Sequence, residues 1–206
     1  MKDFSNVILY SDMDGTLLDS SAAVDRVWGS WAKRHGIDAP TLLATVHGVR
    51  SEDTIRRFAG AGVDVARETQ WILEAEVADV EGVVALPGVH AFIDALEPGT
   101  WAIVTSAPRA LAEVRLRAVN LPIPAVMITG EDVQRGKPDP QGFLLGAQRL
   151  GVSIDKCLVF EDSPAGVAAA KAAGAHVAIV GGRVPGTEGN FVLTNYGAEM
   201  GSGPVS

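Results

Sequence analysis

Residues 7–16 of the chain read VILYSDMDGT, an apolar run followed at once by an aspartate-rich turn. The run from Val7 to Tyr10 is short and apolar and ends at a turn, a pattern typical of a buried parallel strand. Asp12 and Asp14 are two positions apart, so in an extended segment both carboxylates point the same way. Gly15 permits the tight turn that follows them. We therefore predict a first strand that delivers two carboxylates to one pocket.

Two carboxylates that face one pocket repel each other, and this arrangement requires a cation or a proton. Hard oxygen ligands of this kind favour Mg²⁺. The competing interpretation is an acidic surface turn, such as a cluster at the start of a helix. Taken alone, Asp12-Met13-Asp14-Gly15 leaves both interpretations open.

Beyond a helical block from Ser20 to about Val80, strand patterns alternate with helix patterns along the chain. This alternation predicts an α/β fold with a parallel sheet and helices on both faces. Such sheets place their functional sites at the carboxyl ends of the strands. The predicted strands are Trp101–Val104, Ala125–Ile128, Cys157–Phe160 and Val177–Val180, and the predicted helices are His90–Leu96, Pro108–Val119, Pro140–Leu150 and Pro164–Ala173.

The helical block has helical spacing, with Val24, Val27, Trp28 and Trp31 on one face of its first helix. Gly36 is predicted to end the first helix, Ser51 to cap a second, and Asp64 to start a third. We expect Trp28, Trp31 and Trp71 to pack in the core of this insert rather than to stack on a sugar ring.

Composition limits the class of protein. With 206 residues, 47% of them hydrophobic and 20% charged, the chain is typical of a globular core domain with a modest insert. A net charge of -8 argues against nucleic acid as a partner. No apolar run approaches the roughly 20 residues that cross a membrane, so we expect no membrane association. The segment Met1–Asn6 lacks the pattern of a signal peptide, which predicts a cytoplasmic protein.

Three further groups of polar residues follow predicted strands or precede predicted helices. Thr105 and Ser106 end one strand, where their hydroxyls could bond a phosphate oxygen. Lys137 lies between a glycine and a proline, which restrain it before a helix. Glu161 and Asp162 end another strand. Taken singly, these residues could also be ordinary turn, solvated loop or N-cap residues.

In their order along the chain, the four groups resemble the four-motif signature of the haloacid dehalogenase superfamily. The stretch 159–166, VFEDSPAG, is especially similar to it. Segments 101–106 (WAIVTS), 135–138 (RGKP) and 47–50 (HGVR) resemble bacterial sugar and hexitol phosphatases and yeast glycerol-phosphate and deoxyglucose-phosphate phosphatases. The resemblance covers roughly residues 7–182. It implies a Rossmannoid parallel-sheet core, residues 1–18 and 86–206, with an inserted all-helical cap domain, residues 19–85.

The resemblance also implies an activity, the Mg²⁺-dependent hydrolysis of small phosphorylated sugars or polyols such as hexitol, sugar or glycerol phosphates. In the family pattern, Asp12 attacks phosphorus and forms an aspartyl-phosphate, and Asp14 serves as general acid and then as general base. Lys137 neutralises charge on the transferred group, and Thr105 completes the catalytic set.

Metal and substrate contacts are carried over in the same way. The expected Mg²⁺ ligands are the Asp12 carboxylate, the Asp14 backbone carbonyl and the Asp162 carboxylate, with Glu161 supporting this shell. The expected contacts to a small phosphorylated metabolite are Thr16, Ser106, His47 and Arg50. We expect a monomer.

Two other functions remain open at this stage. One is a phosphosugar mutase similar to β-phosphoglucomutase, which the sequence disfavours at two positions. Thr16 stands where the mutases tend to carry an aliphatic residue, and Val24 where they carry a cap histidine. The other is a noncatalytic module with the same fold, which the intact Asp12, Asp14, Lys137 and Asp162 disfavour. Ser11 departs from the family, where a bulky residue commonly precedes the nucleophile.

Overall fold

A parallel sheet of six strands forms the centre of the computed structural model, which describes residues 8–181, 184, 191–193 and 196. None of the described helices is both long and apolar enough to cross a membrane. The strands are β1 (Ile8–Ser11), β2 (Leu18–Asp19), β3 (Val84–Ala85), β4 (Trp101–Val104), β5 (Val126–Ile128), β6 (Cys157–Glu161), β7 (His176–Val180) and β8 (Phe191–Leu193). The helices are α1 (Ser21–His35), α2 (Ala39–Leu43), α3 (Ser51–Phe58), α4 (Val65–Ala78), α5 (Val89–Asp94), α6 (Arg109–Ala118), α7 (Gln141–Leu150) and α8 (Pro164–Ala173), with a 3₁₀ turn at Ile154–Lys156.

The strand order is β5-β4-β1-β6-β7-β8, and every neighbouring pair in it is parallel. Both faces of the sheet are covered, as the alternation along β4 shows. Trp101 and Ile103 pack into one hydrophobic cluster, whereas Ala102 and Val104 pack into another on the opposite face. The predicted α/β fold is therefore confirmed, and the carboxyl ends of β1, β4, β5 and β6 share one edge.

The predicted elements of the sheet agree with the observed ones to within two residues at each end. The strand predicted at Val7–Tyr10 is observed as β1, and Val7 itself lies outside the described residues. No strand pattern in the sequence predicts β2, β3 or β8, which are two or three residues long. Strands of this length owe their conformation to the neighbour they pair with, and local sequence cannot reveal that neighbour.

A small antiparallel ribbon connects the sheet to the helical insert. Leu18 of β2 pairs with Ala85 of β3, so the chain departs and returns side by side. Helices α1 to α4 lie between these two strands. The division into residues 1–18 with 86–206 and residues 19–85 stays a prediction, and the ribbon lies at its borders.

The insert has its own hydrophobic cluster, to which all four of its helices contribute. Trp28 and Trp31 are buried in it and Trp71 packs against it partly buried, as expected for core residues. Gly36 caps α1 in the left-handed conformation, and the Asp64 side chain accepts a hydrogen bond at the start of α4, so both predicted boundaries are confirmed. The cap predicted at Ser51 is wrong by one position, because Ser51 is the first helical residue of α3.

Truncating the centre of the sheet should destabilise the protein strongly. Ile103 in β4 is 0% exposed, so Ile103→Ala should lower the free energy of unfolding by roughly 2–5 kcal/mol through lost burial and a cavity. Ile123→Ala is the matched control, because Ile123 is 40% exposed and its truncation should cost about 0.5 kcal/mol or less. Urea unfolding measures both, and equal losses would contradict this account of the core.

Candidate active site

Asp12 follows β1 directly and lies at the carboxyl edge of the sheet. Its backbone N–H donates to the Phe160 carbonyl of β6 at 3.0 Å, which continues the pairing of β1 with β6 by one residue. The chain then turns back on itself, with the Gly15 N–H 2.7 Å from the Leu18 carbonyl and Gly15 at φ 78°. Asp12 is 3% exposed. Strand pairing and the turn thus fix a buried carboxylate at this edge.

Lys137 reaches that carboxylate from a different loop, the one between β5 and α7. Its Nζ lies 3.0 Å from Asp12 Oδ1 and 2.6 Å from Glu161 Oε1, and its side chain is 6% exposed. Pro138 follows it and restricts the loop. The lysine therefore joins the loops after β1, β5 and β6.

Glu161 and Asp162 come from the end of β6 and the residue after it. Glu161 Oε2 accepts from the backbone N–H of Ser163 at 2.8 Å and from its hydroxyl at 3.0 Å. A Cβ on Gly166 would lie 1.6 Å from Glu161 Oε1, so only glycine leaves room for this carboxylate. Asp162 accepts a hydrogen bond from the Thr16 hydroxyl at 3.0 Å. Both acids are held by neighbours on the loops after β1 and β6.

Asp12, Glu161 and Asp162 form a cluster that could hold a divalent cation. One carboxylate oxygen from each lies within 4.8 Å of the others, and all three residues are buried. Three carboxylates face one ammonium, that of Lys137, so the cluster carries excess negative charge that a cation would neutralise. The donors are hard oxygens, which fits Mg²⁺. The residues present therefore fit the metal that the sequence predicted.

Burial and neighbouring charges shift the pKa values of Asp12 and Lys137. Burial raises the pKa of Asp12 above its usual value, and Lys137 opposes this rise. Burial lowers the pKa of Lys137, but the Asp12 and Glu161 carboxylates outweigh it and hold the pKa above its usual value. Lys137 is therefore a permanent cation at neutral pH. Burial thus favours the neutral form of Asp12, and a cation bound beside it would oppose this shift.

Thr105 and Ser106 follow β4 at the same edge of the sheet. The Thr105 N–H donates to the Ile128 carbonyl at 2.9 Å, and its hydroxyl oxygen accepts from the Ala107 N–H at 3.1 Å. The Ser106 hydroxyl donates to the Gly48 carbonyl at 2.9 Å, so it contacts the insert. Thr105 is 5% exposed. The structure thus brings both hydroxyl residues to the edge where Asp12 and Lys137 lie.

The loop that carries His47 and Arg50 connects α2 with α3 and lies against the core. Arg50 makes two hydrogen bonds to Asp53 and donates to the Gln134 carbonyl at 3.2 Å, in the loop that leads to Lys137. Arg50 shares the lining of one cavity with Thr105, Ser106 and Lys137. His47 is half-buried in the same loop, but it is not among the described residues that line this cavity.

Thr16 has a different environment from the one expected of a substrate contact. It is 0% exposed, and its hydroxyl is used on Asp162. Its predicted substrate contact stays a prediction, and the observed contact adds a role in orienting Asp162.

Asp14 has two partners that the sequence did not suggest. Its Oδ1 accepts from the Ser20 hydroxyl at 2.7 Å and from Arg115 Nη1 at 3.0 Å. Arg115 belongs to α6, 101 positions further along the chain. The available signal was its place among Leu111 and Leu116 on the apolar face of that helix, where a charged residue requires a partner.

The chain matches a known protein family along most of its length. A model of haloacid dehalogenase-like hydrolases matches residues 9–174. The chain belongs to this family. Hexitol phosphatase A from Escherichia coli is 44% identical over 173 residues, 82% of this chain and 80% of the relative. The 2-deoxyglucose-6-phosphate phosphatase 1 of Saccharomyces cerevisiae is 32% identical over 196 residues, 85% of this chain and 80% of the relative.

Both relatives of this haloacid dehalogenase-like hydrolase are named as phosphatases, which confirms the resemblance predicted from the motifs. A solved structure of β-phosphoglucomutase from Clostridium difficile matches with a TM-score of 0.80 over 92% of each chain. Its sequence identity is 17%, so the likeness shows the fold alone.

Gly15→Ala should disturb the cluster more than the left-handed turn alone would. A Cβ on Gly15 would lie 2.0 Å from Asp162 Oδ2, so the carboxylate must move. Gly99→Ala is the control, because Gly99 has a similar φ of 82° with nothing within 4 Å of a Cβ.

Both variants should lose roughly 1–2 kcal/mol from the left-handed conformation, as urea unfolding would measure. Only Gly15→Ala should also bind Mg²⁺ more weakly, as calorimetric titration would measure. Its phosphatase turnover should fall by about 10²-fold, since small misplacements are costly in catalysis. Unchanged Mg²⁺ affinity and turnover in folded Gly15→Ala would contradict this account of Asp162.

Proposed function

We propose that the chain is a Mg²⁺-dependent phosphomonoesterase that acts on small phosphorylated sugars or polyols through an aspartyl-phosphate on Asp12. One observation carries this proposal. A buried carboxylate at the end of a central strand lies 3.0 Å from a buried lysine and shares an oxygen cluster with two further acids. This arrangement suits a nucleophile that attacks an anionic phosphate, because fixed positive charge offsets the repulsion.

In the first step, a carboxylate oxygen of Asp12 attacks phosphorus and a P–O bond forms to the enzyme. The ester P–O bond breaks on the opposite side, and the leaving oxygen takes a proton from the carboxyl group of Asp14. The alcohol departs, and Asp12 holds the phosphoryl group as an acyl phosphate.

In the second step, water attacks phosphorus and gives its proton to Asp14. The acyl phosphate bond breaks, which releases inorganic phosphate and restores the Asp12 carboxylate. Asp14 thus serves as acid and then as base, and each cycle returns it to its starting state. Asp14 lies two residues from Asp12 on the same turn, which supports this division of roles.

Positive charge comes from two sources in this proposal. Lys137 neutralises the transferred group, and its raised pKa keeps it charged throughout the cycle. We assign the Mg²⁺ ligands to the carboxylates of Asp12 and Asp162 and the backbone carbonyl of Asp14, with Glu161 holding Lys137 and Ser163 in place. When bound, the cation supplies charge neutralisation at the phosphoryl oxygens and at Asp12.

The substrate class is inferred from the insert and from the relatives. Arg50 and Ser106 lie where the insert meets the core, beside Lys137, so the organic part of a small ester would contact them. The names of the two relatives specify a hexitol phosphate and a deoxysugar phosphate as substrates of those proteins. We propose that this chain acts on the same class of small phosphorylated metabolite, as a monomer, with Arg50, Ser106 and His47 as contacts.

The direct test is phosphate release from a panel of hexitol, sugar and glycerol phosphates, with Mg²⁺ or with excess EDTA. We expect turnover that depends on Mg²⁺ and falls by at least about 10⁴-fold in Asp12→Asn, because the nucleophile is lost. Asp94→Asn, on the exposed face of α5, is the matched control and should keep wild-type turnover. No release from any compound by folded protein with Mg²⁺ would contradict the proposal.

A further inference from the structure

Arg115 joins the proposed acid and base to the helical insert. Its Nη1 donates to Asp14 Oδ1 at 3.0 Å, and its Nη2 donates to Glu76 Oε1 at 3.1 Å. Arg115 is 2% exposed and Glu76 is 4% exposed. Arg115 belongs to α6 of the core, whereas Glu76 belongs to α4 of the insert, and the two helices are in contact.

We propose that Arg115 is a positioning residue that aligns Asp14 for proton exchange with the leaving oxygen, and that Glu76 holds Arg115 in the position required. This inference rests on the proposed phosphatase function. Because Glu76 belongs to α4 and Arg115 to α6, Asp14 is aligned only when α4 packs against α6.

The hydrogen bonds to Asp14 distinguish its two oxygens. Within the described residues, Ser20 and Arg115 both donate to Oδ1, and this leaves Oδ2 to exchange the proton. An arginine suits this task because its planar guanidinium keeps its charge and holds Nη1 on Asp14 and Nη2 on Glu76 at a fixed separation. The rotation of Asp14 is thereby restricted by donors from two sides.

The position of Arg115 also argues for a role beyond stability. It lies on the buried face of α6 among Leu111, Ala112 and Leu116, where an apolar side chain would pack without the cost of desolvating a charge. Its Nε is buried and has no hydrogen-bond partner in the described part of the chain, so the two carboxylates alone fix the guanidinium. An arginine at this point is best explained by the carboxylates that it joins.

A comparison of two phosphate esters whose leaving groups differ in their need for a proton tests this inference. An alkyl phosphate such as glycerol phosphate needs a proton on its departing oxygen, whereas p-nitrophenyl phosphate releases a stable anion without one. Arg115→Met should lower kcat/KM for the alkyl ester by about 10- to 100-fold, part of the typical contribution of general acid catalysis, and should lower it much less for the aryl ester. Glu76→Gln should also lower the alkyl-to-aryl ratio, which is kcat/KM for the alkyl ester divided by kcat/KM for the aryl ester, but by a smaller factor.

Two further variants serve as controls. Arg115→Lys keeps the charge but loses the planar fork, so it should also lower the ratio. Arg34→Met removes an arginine–carboxylate pair within the insert, with Glu68, and should leave the ratio unchanged. Removing Arg115 leaves the half-buried Asp14 and the buried Glu76 without their shared cation, so folding is checked by circular dichroism. If Arg115→Met does not fold, Glu76→Gln and Arg115→Lys decide the question.

An alkyl-to-aryl ratio that falls in the folded Arg115 and Glu76 variants, but not in Arg34→Met, would support the inference. An unchanged ratio, whether both esters lose kcat/KM equally or neither loses it, would overturn the inference and leave Arg115 a structural residue. A wild type inactive on both esters would instead contradict the proposed phosphatase function, and this inference with it.

Discussion

The ion pairs of Lys137 with Asp12 and Glu161 hold together three loops that are distant in the sequence. The Nζ contacts of 3.0 and 2.6 Å are buried, so each group depends on the others for compensation of its charge. Asp162 adds a third carboxylate that one lysine cannot balance. The requirement for further positive charge, and therefore the chemistry proposed for the site, follows from this imbalance.

Among its contacts with the core, the insert reaches two places beside the charged cluster, the loop of Lys137 and the surroundings of Asp14. At one, the Ser106 hydroxyl bonds the Gly48 carbonyl and Arg50 lies against the loop of Lys137. At the other, Glu76 holds Arg115 against Asp14. In the proposed function, the parallel sheet positions the nucleophile Asp12 and Lys137, and the insert contacts the organic part of the substrate and the proposed acid, Asp14. The proposal thus connects specificity and proton transfer to the same group of helices.

The sheet and the loops that carry Asp12, Thr105, Lys137 and Asp162 could be predicted, because apolar runs followed by polar signature residues are local signals. Arg115 could not, since its partner Asp14 lies 101 positions away and no short pattern joins them. The ribbon of β2 and β3 was missed for the same reason, because each strand depends on a partner across the insert. Thr16 was recognised, but its contact with Asp162 depends on tertiary structure.

Trapping the covalent intermediate would show whether the reaction passes through an aspartyl-phosphate on Asp12. The protein is quenched with acid during turnover of a ³²P-labelled substrate and then treated with borohydride. Borohydride reduces an acyl phosphate on an aspartate and converts that residue into homoserine. Peptide mass mapping then identifies the position. In the presence of Mg²⁺, we expect label on Asp12 before reduction and homoserine at that position after it. Label at another residue, or a fully unlabelled enzyme during rapid-quench sampling of a turning-over reaction, would contradict it.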